Sequence, residues 1–185
     1  MTKLEICNLS LDRLSIEPIT ELNFTDNVTG RLCSRTFEHA LKSSLYAYDW
    51  GFSISKIVAS TNPTSSQILS TYDGKKSHVA LNTAGFNCIR VLSCDKDYVV
   101  EGGNITFGGN ANTEITYIKD VTDTGILSVG FIEFLVVFLA SLLSDKLTQS
   151  DGTKDALTDE YRMLEARARV LNQRERNSTL AIKRG

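Results

Sequence analysis

The chain has 185 residues, of which 42% are hydrophobic and 23% charged, and its formal net charge is −2. A mixture of this kind closes one sizeable core, so a single globular domain is the default expectation. The first residues, MTKLEICNLSLDRL, contain one Lys and no continuous apolar run ending in small residues, so neither a signal peptide nor secretion is expected. Cys7, Cys33, Cys88 and Cys94 form no CxxC pair. They read as reduced, mostly buried thiols, and sequons such as Asn104-Ile105-Thr106 then carry no meaning.

In chain order, a short first helix is expected from about Lys3 to Leu14, running into a turn at Glu17-Pro18. A second should begin near Thr25-Asp26, whose side chains can accept from the first unpaired N–H groups. Val28, Leu32, Ala40, Leu41, Leu45 and Tyr48 recur mostly at three- and four-residue spacing and predict one apolar stripe reaching Trp50-Gly51. The period then changes. FSISKIVAS alternates apolar and polar residues, CIRVL is a short β-rich run, and DYVVEGGNITFGGNANTEITYIK holds three such runs broken by glycine. These predict an antiparallel meander, with Gly102-Gly103-Asn104 and Gly108-Gly109-Asn110 at its reversals. The polar stretch from Thr61 to Asn87, apart from the first strand's end, is expected to be a long loop or irregular hairpin.

From Ile126 to Ser144 a single charge, Glu133, interrupts an apolar run that approaches the roughly 20 residues of a bilayer span. Its flanks are Gly130 and Ser144-Asp145-Lys146 rather than basic or aromatic anchors. Placing Glu133 in hydrocarbon would also cost roughly 2 to 3.5 kcal/mol with no partner in the segment. The expectation is instead a helix apolar on all sides and buried centrally, in the protein or between subunits. Membrane association through residues 126–144 is the alternative. After the turn-rich TQSDGTKD, Leu157, Tyr161, Leu164, Ala168 and Leu171 predict a final amphipathic helix lying along the apolar one. NSTLAIKRG lacks periodicity and is expected to be a mobile or partner-ordered tail.

Charge is uneven. From Arg162 to Gly185 seven basic residues face only Glu165 and Glu175, a net of +5, which leaves −7 for the rest. Such asymmetry points the end of the chain towards an acidic protein surface or nucleic-acid phosphate, against the plainer reading of a solvated helix face.

Motifs for chemistry are absent or incomplete. GGNITFGGN matches neither GxxxxGK[ST] nor GxGxxG and does not lead into a helix. Asp95-Lys96-Asp97 begins like a calcium loop, but Val99 stands at position five and no glycine at position six. His39 and His78 have no ligand at metal spacing, and neither Cys33 nor Cys88 has a nucleophile context near them. Adjacent carboxylates such as Asp159-Glu160 point to different sides of a helix. The chain is therefore read as no enzyme, with no cofactor and no metal. A small α+β ligand-binding or enzyme domain is kept as an alternative, to be recognised by a deep polar pocket near Cys88, Cys94 and His78.

The order of elements resembles the head-to-tail adaptor, or tail tubular protein A, family of short-tailed bacteriophages. The similarity runs from about Ile6 to Glu175, through ICNLSLDRLSIEPI, RTFEHALKSSLYAYDWGFS, FNCIRVL, DYVVEGGNITF, ITYIKDVTDTGILSVGFIEFLVVFLASLLSDKLT and LTDEYRMLEARARVLNQRE. Its strongest parts are Trp50-Gly51-Phe52, Val100-Glu101-Gly102, and Tyr117-Ile118 leading to Leu139-Ala140. The family's Leu-Pro-Xaa-Asp turn before the CIRVL-like strand is replaced by Thr83-Ala84-Gly85-Phe86-Asn87, without proline.

The expected fold is α+β: a helical bundle of the long N-terminal helix and two C-terminal helices (1–51 and 126–176), a small antiparallel β-domain inserted between (52–125), and a flexible C-terminal tail (177–185). The resemblance implies a virion protein in the particle's neck or tail, assembled in the host cytoplasm as a homo-oligomeric ring of twelve copies below the portal protein ring. There it would extend the DNA channel, dock a downstream tail or nozzle protein, and let double-stranded DNA pass without sequence-specific binding. Phe131, Phe134, Leu135, Phe138, Leu139 and Leu142 are the expected core or inter-subunit face of the apolar helix. The resemblance places Arg167, Arg169, Arg174, Arg176, Lys183 and Arg184 against acidic portal grooves, where the tail would become ordered.

Overall fold

The computed structural model describes residues 1–22, 27–64, 67–109, 112–148 and 151–182. The chain divides into two compact units: Met1–Phe52 with Thr122–Gly185, and Ser53–Val121.

In the first unit, α1 (Lys3–Asp12) opens with a capping box. The Thr2 hydroxyl accepts from the Glu5 amide at 3.2 Å, and the Glu5 carboxylate accepts from the Thr2 N–H at 2.7 Å. The helix stops short of the expected Leu14. Ser15 adopts φ 55°, and the Asn8 side chain bonds both the N–H and C=O of Ile19, which fixes the turn. Helix α2 (Val28–Ala47) is capped by Asn27, whose side chain accepts from Gly30 N–H at 2.9 Å. The expected cap at Thr25-Asp26 lies outside the described residues. Leu32, Ala40, Leu41 and Leu45 are buried as the stripe predicts, joined by Phe37, while Val28 is exposed.

Helix α3 (Val129–Leu147) begins at Ser128, whose hydroxyl accepts from Phe131 N–H. Phe131, Phe134, Leu135 and Leu139 are buried, Phe138 and Leu142 half-buried, and Glu133 exposed. Val136, Val137, Ala140 and Leu143 are buried too, so burial reaches almost round the helix. The hydroxyls of Ser141 and Ser144 donate back to the carbonyls of Phe138 and Ser141, which lets two polar side chains sit inside. Helix α4 (Asp151–Ile182) lies along α3. The two approach closely at Gly130, where an added Cβ would stand 3.3 Å from Leu171 Cδ1 and 3.7 Å from Ala168 Cα. Leu157 and Ala168 are buried on the expected stripe, but Leu171 is exposed and Asn172 is buried in its stead. The helix continues through Asn177, where the tail was expected to start, to Ile182.

The second unit holds two sheets. One has the order β2-β1-β9-β6-β5 and the other β3-β4-β8-β7, with β1 Ile54–Ser60, β2 Gln67–Leu69, β3 Thr71–Tyr72, β4 Lys76–Ala80, β5 Asn82–Thr83, β6 Phe86–Cys94, β7 Tyr98–Glu101, β8 Asn104–Gly108 and β9 Thr113–Lys119. Ala59, Ile68, Val79, Phe86, Cys88, Ile105, Phe107, Ile115 and Tyr117 form the core between them. The Phe86 and Tyr117 rings meet edge to face at 4.7 Å.

The structure departs from the expected fold in four respects. The β-region is not a small insert in a helical bundle. Among the described residues, nine strands in two sheets, against four α-helices, make up most of the fold's elements and enclose a core of their own. Nor do the helices form a bundle: α1 has 10 residues and α4 has 32, and each of α1, α2 and α4 is laid against α3 rather than in matched antiparallel pairs. The meander is broken as well. The β7–β8 hairpin turns where expected, on Gly102 and Gly103 at φ 55° and 76°, but β8 and β9 fall in different sheets. Finally, the stretch expected to be a long loop contains β2 to β5, with β2 parallel to β1. The proline-free turn before β6 is a two-residue hairpin, Ala84-Gly85, with Gly85 at φ 85°.

Candidate docking surface

The basic face of α4 is the surface singled out by charge, and its arginines do different things. Arg169 is tied into the unit: it donates to Glu165 at 2.6 Å, and its guanidinium lies 4.9 Å from the Tyr48 ring centroid. Arg176 is exposed, yet donates to the Asp49 carbonyl at 3.4 Å. Arg162 lies 3.7 Å from Asp159, one turn away on the same helix. Arg167 and Arg174 are exposed on the helix surface. Lys183 and Arg184 lie outside the described residues. The six expected portal contacts are thus not one equivalent set, since Arg169 is spent holding Tyr48 and Glu165.

Next to these arginines, Asn172 joins α4 to the end of α2. Its carbonyl oxygen accepts from Gly51 N–H at 2.7 Å and its amide donates to Asp49 C=O at 3.0 Å. An Asn four residues after Ala168 falls on the buried stripe, and a polar residue there was a readable sign of such a contact. Because Asn172 is buried and both bonds are partly so, Asn172→Ala is expected to lower the stability of this unit by about 1 to 3 kcal/mol. Asn172→Asp keeps the acceptor for Gly51 but sets a carboxylate oxygen against the Asp49 carbonyl, so it too should lose stability. Urea denaturation followed by far-ultraviolet circular dichroism measures both, and equal stability of all three proteins would refute the role given to the amide.

A cleft of about 620 Å³ opens between α1, α3 and α4. Leu9, Val129, Ile132 and Val136 give it apolar walls, Glu133 and Arg167 stand at it, and Arg13 pairs with Glu160 at 3.0 Å across it. Leu9 and Val129 are exposed although apolar. No local pattern marks this cleft, because its walls come from helices distant in sequence.

The pocket that would mark an enzyme is only partly there. One of about 540 Å³ in the second unit is lined by His78 but by neither Cys88 nor Cys94. The His78 ring lies 3.0 Å from Thr106 Oγ1 and 3.2 Å from the Asp73 carboxylate. This Asp-His-Thr chain resembles a nucleophile relay in outline, but Thr106 is buried opposite His78 in the β4–β8 ladder. It has no exposed hydroxyl to offer a substrate. Asp73 serves the turn instead, accepting from the backbone N–H groups of Lys75 and Lys76, and these bonds together with His78 hold its carboxyl down at about 2.

Cys88 and Cys7 are no better placed for attack, and Cys33, whose thiol is lowered by its hydrogen bond with Cys7, is fully buried. Burial pushes the Cys88 thiol up to about 11, and the contact with Cys33, with burial, pushes Cys7 higher still. No disulfide joins any of the four. Among the described residues no group of three His, Cys, Asp or Glu side chains is placed to hold a metal ion, and no helix is long and apolar enough to cross a membrane. No protein-family model matches the chain, and no curated protein does.

Proposed function

We propose that the chain is a head-to-tail adaptor: a structural protein that assembles as a ring below a phage portal, extends the DNA channel and offers a docking surface to the next tail component. The sequence resemblance from Ile6 to Glu175 supports this reading, and one observation carries it. The 32-residue α4 has Arg162, Arg167, Arg174 and Arg176 exposed and leads in sequence to Lys183-Arg184. A long helix with a basic end fits a groove lined with carboxylates on a partner ring, where several charge-assisted contacts form together. The apolar α3 fits as well, because it is used up inside its own unit and does not call for lipid. The net negative charge of the remainder suits a channel through which duplex DNA slides, since few phosphates would be neutralised.

Portal docking is tested by truncation. A cut after Arg176 removes Asn177 to Gly185 but keeps Asn172 and the Arg176 contact with Asp49. The truncated protein should keep the thermal midpoint of the full chain and lose attachment when mixed with the portal ring encoded beside its gene, as seen by electron cryomicroscopy. Full-length protein should form a second ring with the portal's symmetry. Unchanged attachment of the truncated protein would refute docking through this end, and absence of any complex with the full chain would refute the adaptor reading.

A further inference from the structure

We infer that copies of this chain join edge to edge through their β-sheets, with β7 of one copy pairing with β3 of the next. The four-stranded sheet β3-β4-β8-β7 has two outer strands, and among the described residues each of them has one neighbour strand. An outer strand turns half of its N–H and C=O groups away from that neighbour, and such a row is a template for another chain unless Lys, Pro or a bulge blunts it. Nothing of the kind protects β7. Its sequence is Tyr-Val-Val-Glu, its ladder with β8 is regular over all four residues, and the two valines are 56% and 49% exposed. Successive side chains of a strand point to opposite faces, so both faces of this edge present apolar surface to solvent. At the other edge Thr71 and Tyr72 are exposed in the same way.

Direction and charge choose the partner. All three pairings in this sheet are antiparallel, so β3 and β7, three steps apart, run in opposite directions. A second copy related by a modest rotation therefore brings its β3 antiparallel to the first copy's β7, and the alternation continues across the joint. Asp97 stands exposed before β7, Asp95 accepts from Glu114 N–H at 3.0 Å, and Glu101 ends the strand. Beside β3, Lys75 and Lys76 are exposed, while the carboxylate of Asp73 is taken up by its own turn. Pairing β7 with β7 would set acidic ends against each other. Pairing it with β3 sets acid against base. An interface made of two different edges is heterologous, and repeats of it close when the rotation allows. This deepens the ring reading and rests on it for closure.

The test is disulfide capture with the full chain. Thr71→Cys and Val100→Cys in one protein, oxidised in the absence of reductant, should give a ladder of covalent species beyond the dimer on a non-reducing gel. Each single variant alone should stay monomeric, and the two mixed should give a dimer only. With Val100 opposite Thr71, Asp97 comes to the Lys75 end of the joint and Glu101 to the other, so Asp97→Lys should lower ladder yield about fivefold and adding Lys75→Glu should restore it. A dimer from Val100→Cys alone, or no ladder from the double variant, overturns the joint. Sedimentation of the unmodified chain, and of its mixture with the portal ring, reads assembly separately. Oligomers without a ladder would overturn the edge joint and leave the ring reading standing, whereas monomers in both would remove the ring as well.

Discussion

Trp50→Ala is expected to lower the stability of the helical unit by about 3 to 5 kcal/mol. Trp50 is 1% exposed and sits just past the end of α2. Its ring meets Phe131 edge to face at 4.8 Å and Tyr48 at 5.1 Å, and lies stacked at 6.3 Å from both Phe52 and Phe134. Removing it would open a hole among four aromatic rings that cannot all move inward. The indole also caps the helix: Nε1 donates to Ser44 C=O at 2.8 Å, one of the carbonyls a helix end leaves without an internal partner. Trp50→Phe separates the two contributions, since it keeps most of the packing and loses the bond. Urea denaturation followed at 222 nm, where the helices dominate, should place Trp50→Phe between the parent and Trp50→Ala. A Trp50→Ala midpoint within experimental error of the parent would sink this account.

Leu135→Ala should cost about 2 to 5 kcal/mol by the same measurement. Leu135 is fully buried near the middle of α3, the element against which α1, α2 and α4 all pack. Its loss would therefore leave a cavity under helices that are also tied to one another, α1 to α2 and α4 by Lys3–Glu38 and Arg13–Glu160, and α4 to the loop after α2 by Asn172. Phe138→Ala offers the contrast. Phe138 is half-buried, stacked on Phe134 at 5.7 Å and tilted against Tyr161 at 5.2 Å. It should cost less than its size suggests, because water can reach the space it leaves. If Phe138→Ala proved the more damaging of the two, the placement of the core on the Leu135 side of α3 would be wrong.

The reading of the sequence reached furthest where a local pattern was enough. Helix α3 is a long apolar run in which Glu133 is the one charge before Asp145, and Glu133 faces water. The β7–β8 reversal was legible because two consecutive glycines at positive φ leave a chain little else to do. The strands between Thr61 and Asn87 were not legible. β2, β3 and β5 have two or three residues each, too few to show a period, and their pairing depends on partners such as Ser60 and His78 rather than on neighbours in the chain. The expected bundle failed for a related reason: helical periodicity reports which side of a helix is apolar, and not how many helices share the core or how much of the fold the strands claim.

At the candidate surface the division is similar. Excess charge near the end of the chain is a count, and a count needs no structure. That Arg169 is occupied by Glu165 and Tyr48, that Asn172 fastens α4 to the loop after α2, and that Val99 and Val100 stand on an open edge are statements about residues distant in sequence. By itself, then, the sequence determined the local elements with strong periodicity or forced turns, the apolar character of α3 and the basic end of the chain. Tertiary structure decided the division into two sheets, which arginines are left exposed, and which apolar residues stay uncovered, because burial and pairing are set by non-local contacts that no window of neighbouring residues contains.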